Sequence, residues 1–162
     1  AFYLGEGHIF STEPLDKYDK AKLWHMPRRK YAIKECFQNA AQLVLDGGSA
    51  LGLTYCEGYA LGKAPIAVPH AWVSFKGRPI DVTWRIDDSD VPTKDAAKLL
   101  ARVDHNIKSG SYLGIEVPDT VLRKHLIEGE RYSPVVEGAH YRFDLLRTGV
   151  TWRKPNGDKD TG

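Results

Sequence analysis

Three side chains that together can open an amide bond follow one another along the chain: the thiol of Cys36, the imidazole of His70 and the carboxylate of Asp81. A thiol is a poor nucleophile until it loses its proton. An imidazole can take that proton and hold the thiolate as an ion pair, and a carboxylate can keep the imidazole in the useful orientation. The chemistry open to such a set is covalent acyl transfer through a thioester, resolved by water or an amine, and it calls for no cofactor and no metal. Cys56, between Tyr55 and Glu57, has no acid-base partners of its own at a comparable spacing and reads as packing.

The elements around these residues can be read from spacing. Ile33, Cys36, Phe37, Ala40, Ala41, Val44 and Leu45 recur at three and four and predict a helix that Gly47-Gly48 stops. A start at Arg29 sets Cys36 two turns in. A start near Lys34 keeps it within reach of the N-terminal dipole, and the later start is preferred. A strand is expected over Leu53 to Ala60. His70 to Phe75 and Arg78 to Trp84, separated by Lys76-Gly77, carry a hairpin signature. If those two residues form the turn, Phe75 faces Arg78 and Asp81 faces Trp72, with His70 on the same face and diagonal to Asp81. A three-residue turn would pair Asp81 with Val73 and break that relation. Pro79 removes a ladder donor and predicts an irregular start or an edge position.

The order Cys36-Phe-Gln-Asn-Ala, Glu57-Gly-Tyr-Ala60, His70-Ala-Trp-Val73 and Asp81-Val-Thr-Trp84 resembles the core of the transglutaminase-like cysteine hydrolase superfamily, relatives of the papain-like fold. The resemblance runs from Cys36 to Trp84. It implies a central helix that presents the cysteine against a mainly antiparallel sheet whose successive strands supply histidine and aspartate. By that resemblance Cys36 is the nucleophile, His70 the general base and acid, and Asp81 the residue orienting the ring. The superfamily holds transferases, peptidases and inactive relatives. Two departures stand out: Lys34-Glu35 precede Cys36 where relatives commonly carry a glycine and a small or aromatic residue, and no glutamine stands shortly upstream. Candidate oxyanion donors are the Cys36 backbone N–H with Trp24 Nε1, Lys30 or Gln38, and Asn39 is a candidate for local support. Glu57, Tyr59, Trp72 and Trp84 are candidate groove residues, each with core packing or a local hydrogen-bond network as the alternative.

The rest of the chain frames this centre. With 162 residues, four Trp, eight Tyr, five Phe and 42% hydrophobic residues, it is expected to form one domain over residues 1–152, with an N-terminal arm over 1–28 that wraps the domain or lines a cleft, and a flexible tail over 153–162. Further helices are expected after Thr93 and over Thr120 to Glu128, with a strand over Tyr112 to Val117 between them, giving an α+β fold. A net charge of +2 with both signs interspersed gives no reason to expect nucleic acid, and no apolar run is long enough for membrane insertion. Six histidines and two cysteines show no zinc spacing, and His105, His125 and His140 read as surface or satisfied core residues. Two cysteines in a chain that needs no disulfide favour a reducing, cytoplasmic setting, with a removed targeting segment left open. The expected function is a thiol-dependent hydrolase of an amide, peptide or isopeptide bond in a peptide, protein or other amide substrate. The alternatives are an acyl transferase of transglutaminase type and an inactive binding or assembly domain.

Overall fold

A computed structural model describes residues 7–28, 31–32, 34–62, 66–84, 95–129 and 132–136. The expected tail, His140 and Lys30 lie outside the described residues. Helices pack on a curled antiparallel sheet, an α+β arrangement. In chain order the elements are β1 (His8–Ile9), α1 (Lys17–Leu23), α2 (Cys36–Leu43), β2 (Thr54–Leu61), β3 (Val68–Phe75), β4 (Arg78–Ile80), α3 (Ala96–Ser109), β5 (Ser111–Val117) and α4 (Asp119–Gly129). The strand order is β1-β5-β2-β3-β4, and every neighbouring pair is antiparallel. The sheet curls far enough for its two edges to meet: just after β1, Ser11 N–H donates to Gly77 O in the β3–β4 turn, at 2.9 Å.

Strand alternation divides the buried side chains into two groups. Tyr55, Ala71, Val73, Phe75, Ile115 and Val117 share one core with Cys36, Ala40, Ala41 and Leu43 of α2 and with Leu99, Val103 and Ile107 of α3. On the other face Cys56, Ala60, Trp72 and Tyr112 close around Phe10, carried over the sheet by the arm. β2 and β5 come close on this second face because Gly58 and Gly114 are paired. A Cβ on Gly58 would sit 2.1 Å from Leu113 O, and one on Gly114 would sit 2.6 Å from Trp72 Cη2.

Three sequence expectations change. The arm contains regular structure, a two-residue strand and a seven-residue helix, both too short to produce a visible period. Its helix starts where the Asp16 side chain accepts Asp19 N–H, and Asp19 in turn anchors it by accepting from Lys76 Nζ at 2.6 Å and Arg78 Nη1 at 2.8 Å. The central helix is shorter than the apolar spacing predicts. It ends at Leu43 and passes through a wide turn, Val44–Gly48, where Gly47 has φ 111°. The second hairpin strand stops at Ile80 instead of running to Trp84. Pro79 lies on this edge strand, opposite Ser74. Among the described residues no helix is long and apolar enough to cross a membrane.

Candidate active site

The hairpin turn sets the register. Lys76 (φ 51°) and Gly77 (φ 74°) both take the left-handed conformation that a two-residue turn of this hand requires. Phe75 pairs with Arg78 and Val73 with Ile80. Continued by one residue, that register puts Asp81 across from Trp72 and diagonal to His70. His70 Nε2 lies 2.7 Å from Asp81 Oδ2, and both side chains are buried. The ladder ends here for a chemical reason: Asp81 Oδ1 accepts the backbone N–H groups of Thr83 (2.8 Å) and Trp84 (3.1 Å), so these amides turn to the carboxylate and not to β3.

Cys36 arrives from a different element. It is the first residue of α2, buried with 8% of its surface exposed. Lys34, two residues earlier, holds φ 65°, an uncommon conformation for a residue with a Cβ, and Glu35 supplies no side-chain cap to the first amides of the helix. Asn39 secures this approach from inside the helix. Its Oδ1 accepts Ala32 N–H at 3.1 Å, and its Nδ2 donates to Ala32 O at 2.7 Å and to Thr83 Oγ1 at 3.0 Å. Cys36 is near enough to His70 to act on its ring, adding to the influences that raise its pKa. With Nε2 on Asp81, Nδ1 is the second ring nitrogen, able to make one further hydrogen bond.

The electrostatics follow from burial and pairing. Burial, the largest influence on His70, disfavours the imidazolium, but the charge and hydrogen bond of Asp81, together with Cys36, outweigh it and raise the pKa to about 10. Burial pushes Asp81 upward, but His70 and the Thr83 and Trp84 amides hold it below the ordinary carboxylate range. Trp84 lies over the ring, with centroids 4.7 Å apart and planes 25° from parallel.

Other sequence candidates fall elsewhere. Trp24, a candidate oxyanion donor, is 45% exposed and lines a groove of about 720 Å³ with Lys17, Lys20, His25, Leu100 and Asp104, whose lining contains neither Cys36 nor His70. Lys30 lies outside the described residues. Gln38 is half-buried on α2. Glu57 is not a groove carboxylate. It points to the opposite face of β2 from His70's neighbour Gly58, is buried, and accepts from Tyr55 Oη at 2.7 Å, Val136 N–H at 2.8 Å and Val135 N–H. Tyr59, on the same side as Glu57, is half-buried against the main core. Trp72 belongs to the core and not to a groove: it is 1% exposed, with Phe10 and Tyr112 edge-on at 5.2 and 5.1 Å. Of the four groove candidates, Trp84 is the one stacked on His70 while remaining half-buried.

No family model, curated protein or solved structure matches the chain. The site therefore has to be read from its own chemistry, which includes residues that sequence reasoning missed. Tyr112 Oη donates to Asp81 Oδ2 at 2.9 Å. Asn106 Nδ2 donates to Asp81 O at 3.1 Å and Trp84 O at 3.2 Å, fixing the backbone on both sides of the turn. The signal for Asn106 was present: an amide inside the apolar stripe Leu99, Leu100, Val103 and Ile107, where a polar side chain needs a buried partner. Tyr112 had no comparable signal, since an aromatic residue near a strand start is ordinary.

Proposed function

We propose that the chain is a cysteine hydrolase of amide bonds with a transglutaminase-like arrangement of nucleophile, base and orienting carboxylate. The observation that supports this reading is the buried His70–Asp81 pair, Nε2 to Oδ2 at 2.7 Å, with Cys36 at the start of α2 near enough to His70 to help raise its pKa. In this mechanism Cys36 passes its proton to His70 Nδ1, which leaves the thiolate as the nucleophile. The sulfur attacks the carbonyl carbon, and the C=O electrons move to oxygen. We assign the Cys36 backbone N–H as one donor to that oxyanion. Collapse breaks the C–N bond as His70 Nδ1–H protonates the leaving amine, leaving a thioester on Cys36. Water, losing a proton to His70, then attacks the thioester and releases the acid and the thiol. An amine in place of water gives transfer by the same steps.

The test combines labelling and turnover. Iodoacetamide at neutral pH followed by peptide mapping should modify Cys36 well ahead of Cys56, which is fully buried and whose thiol burial pushes up strongly. His70→Gln should slow the Cys36 reaction, and a panel of peptide, isopeptide and small amide substrates should be turned over by the intact protein and not by folded Cys36→Ala. Equal labelling of Cys36 without His70, or turnover retained by Cys36→Ala, would overturn the assignment.

A further inference from the structure

Asp81 is 0% exposed, and each of its oxygens takes two donors. Oδ1 receives two backbone amides, which hold the carboxylate in place. Oδ2 is shared by two side chains, His70 Nε2 at 2.7 Å and Tyr112 Oη at 2.9 Å. A carboxylate offers about four lone-pair sites, so the set is full. We propose that Tyr112 is a positioning residue that sets the proton affinity of His70 by competing with it for Asp81 Oδ2. The catalytic consequence of this proposal rests on the function assigned above.

The direction follows from elementary electrostatics. A donor to Oδ2 stabilises the anion and withdraws part of its charge from the imidazolium on the same oxygen. With Tyr112 bonded, His70 releases its proton more readily, and protonation of a leaving amine requires that release. Tyr112 is suited to remain a donor, because burial and the adjacent Asp81 push its phenol well above its ordinary pKa. Its ring is also fixed: a Cβ on Gly110 would sit 2.7 Å from Tyr112 Cε2, Trp72 is 5.1 Å away between centroids, and the Tyr112 carbonyl accepts Phe10 N–H at 3.0 Å. Among the described residues the titratable groups facing His70 are Cys36 from α2, Asp81 from the turn after β4 and Tyr112 from β5. The indoles of Trp72 and Trp84 flank it without titrating.

Removing the hydroxyl while keeping the ring isolates this effect. In Tyr112→Phe the His70 pKa, followed by ring carbon and nitrogen NMR across pH, should rise by about one unit. Replacement of Tyr112 alone by 3-fluorotyrosine, whose hydroxyl is the stronger donor, should move it the other way and decides the matter if Tyr112→Phe does not fold. A packing role alone would lower thermal stability and leave the titration where it was. A His70 titration that is unmoved, or that moves down in folded Tyr112→Phe, overturns the proposal. Iodoacetamide labelling of Cys36 that ignores His70→Gln would instead overturn the assigned function, leaving the NMR comparison to judge Tyr112 by itself.

Discussion

Asn39 Nδ2 donates to Thr83 Oγ1 over 3.0 Å, so the helix that opens with Cys36 is bonded directly to the turn that begins with Asp81. The same amide holds both backbone groups of Ala32, upstream of the strained Lys34. One buried side chain therefore fixes the distance between elements that are remote in sequence. Asn39→Ala should cost about 2 kcal/mol in urea unfolding, because Thr83 loses a buried partner while exposed Ala32 can turn to water. It should also slow alkylation of Cys36 by about tenfold through misplacement of the sulfur. Unchanged alkylation in a destabilised protein would separate Asn39 from the site.

The His70–Asp81 pair makes stability depend on pH at both ends. The folded pKa of His70, about 10, exceeds the roughly 6.5 of an unfolded histidine. Its stabilisation is fully present below the unfolded value and is lost as pH rises through the folded one. Asp81 has a lowered folded pKa, so its contribution is present above about pH 4 and lost as pH falls through the folded value. Urea midpoints should form a plateau between about pH 4 and 6.5 and decline on either side. Asp81→Asn should flatten both limbs, whereas His70→Gln should flatten the alkaline decline and leave the part of the acid limb that the Thr83 and Trp84 amides supply. A midpoint constant from pH 6.5 to 10 in the unsubstituted protein would contradict this pairing.

Asp81→Asn also tests orientation, separately from charge. The amide can preserve the turn through its oxygen while presenting an NH₂ group to His70 Nε2, which favours the wrong tautomer for accepting the Cys36 proton at Nδ1. The expected loss in kcat on any substrate found by the panel is about 10³- to 10⁴-fold, with a folded protein by circular dichroism. A loss below tenfold would argue that Asp81 supports the turn and contributes little to the ring.

The parts of this site that were legible in the sequence are those fixed by short-range geometry. A two-residue turn at Lys76-Gly77 follows from glycine and strand alternation, and it sets Asp81 diagonal to His70 without any knowledge of the remaining fold. Less legible were features decided by side chains competing for backbone. The second hairpin strand looked continuous to Trp84, but the Asp81 carboxylate captures the amides that would have extended it. The arm looked irregular because its anchors, Asp19 on Lys76 and Arg78, are 57 and 59 residues apart in sequence. Tyr112 is further still from any local rule: what aims it at Asp81 is the pairing of β5 with β2, together with the Gly58–Gly114 contact that draws those strands together.

That glycine contact should be intolerant of a methyl group. Gly58→Ala would bring its Cβ to 2.5 Å from Gly114 Cα as well as onto Leu113 O, both of them backbone atoms that cannot rotate away. Gly114→Ala meets Glu57 O at 2.3 Å and the Trp72 ring. Each should lower stability by about 3 kcal/mol or prevent folding, measured by denaturant unfolding, whereas Gly77→Ala meets no atom within 4 Å and is limited to the strain of its positive φ.

Glu57 supplies the sharpest distinction between a groove residue and a structural one. Its carboxylate accepts Val135 and Val136 N–H groups on the opposite side of β2 from Gly58, the residue paired with His70. Glu57→Gln keeps the shape, but its amide nitrogen cannot accept, so at least one of those donors is left facing an NH₂ group. Hydrogen exchange at Val135 and Val136 should accelerate by about tenfold or more, while iodoacetamide labelling of Cys36 stays within about twofold of the unsubstituted protein. Substrate panels should likewise show no selective loss of basic substrates. If turnover of lysine- or arginine-containing substrates fell while exchange at 135 and 136 was unaltered, Glu57 would have to be moved from the structural network to the binding surface.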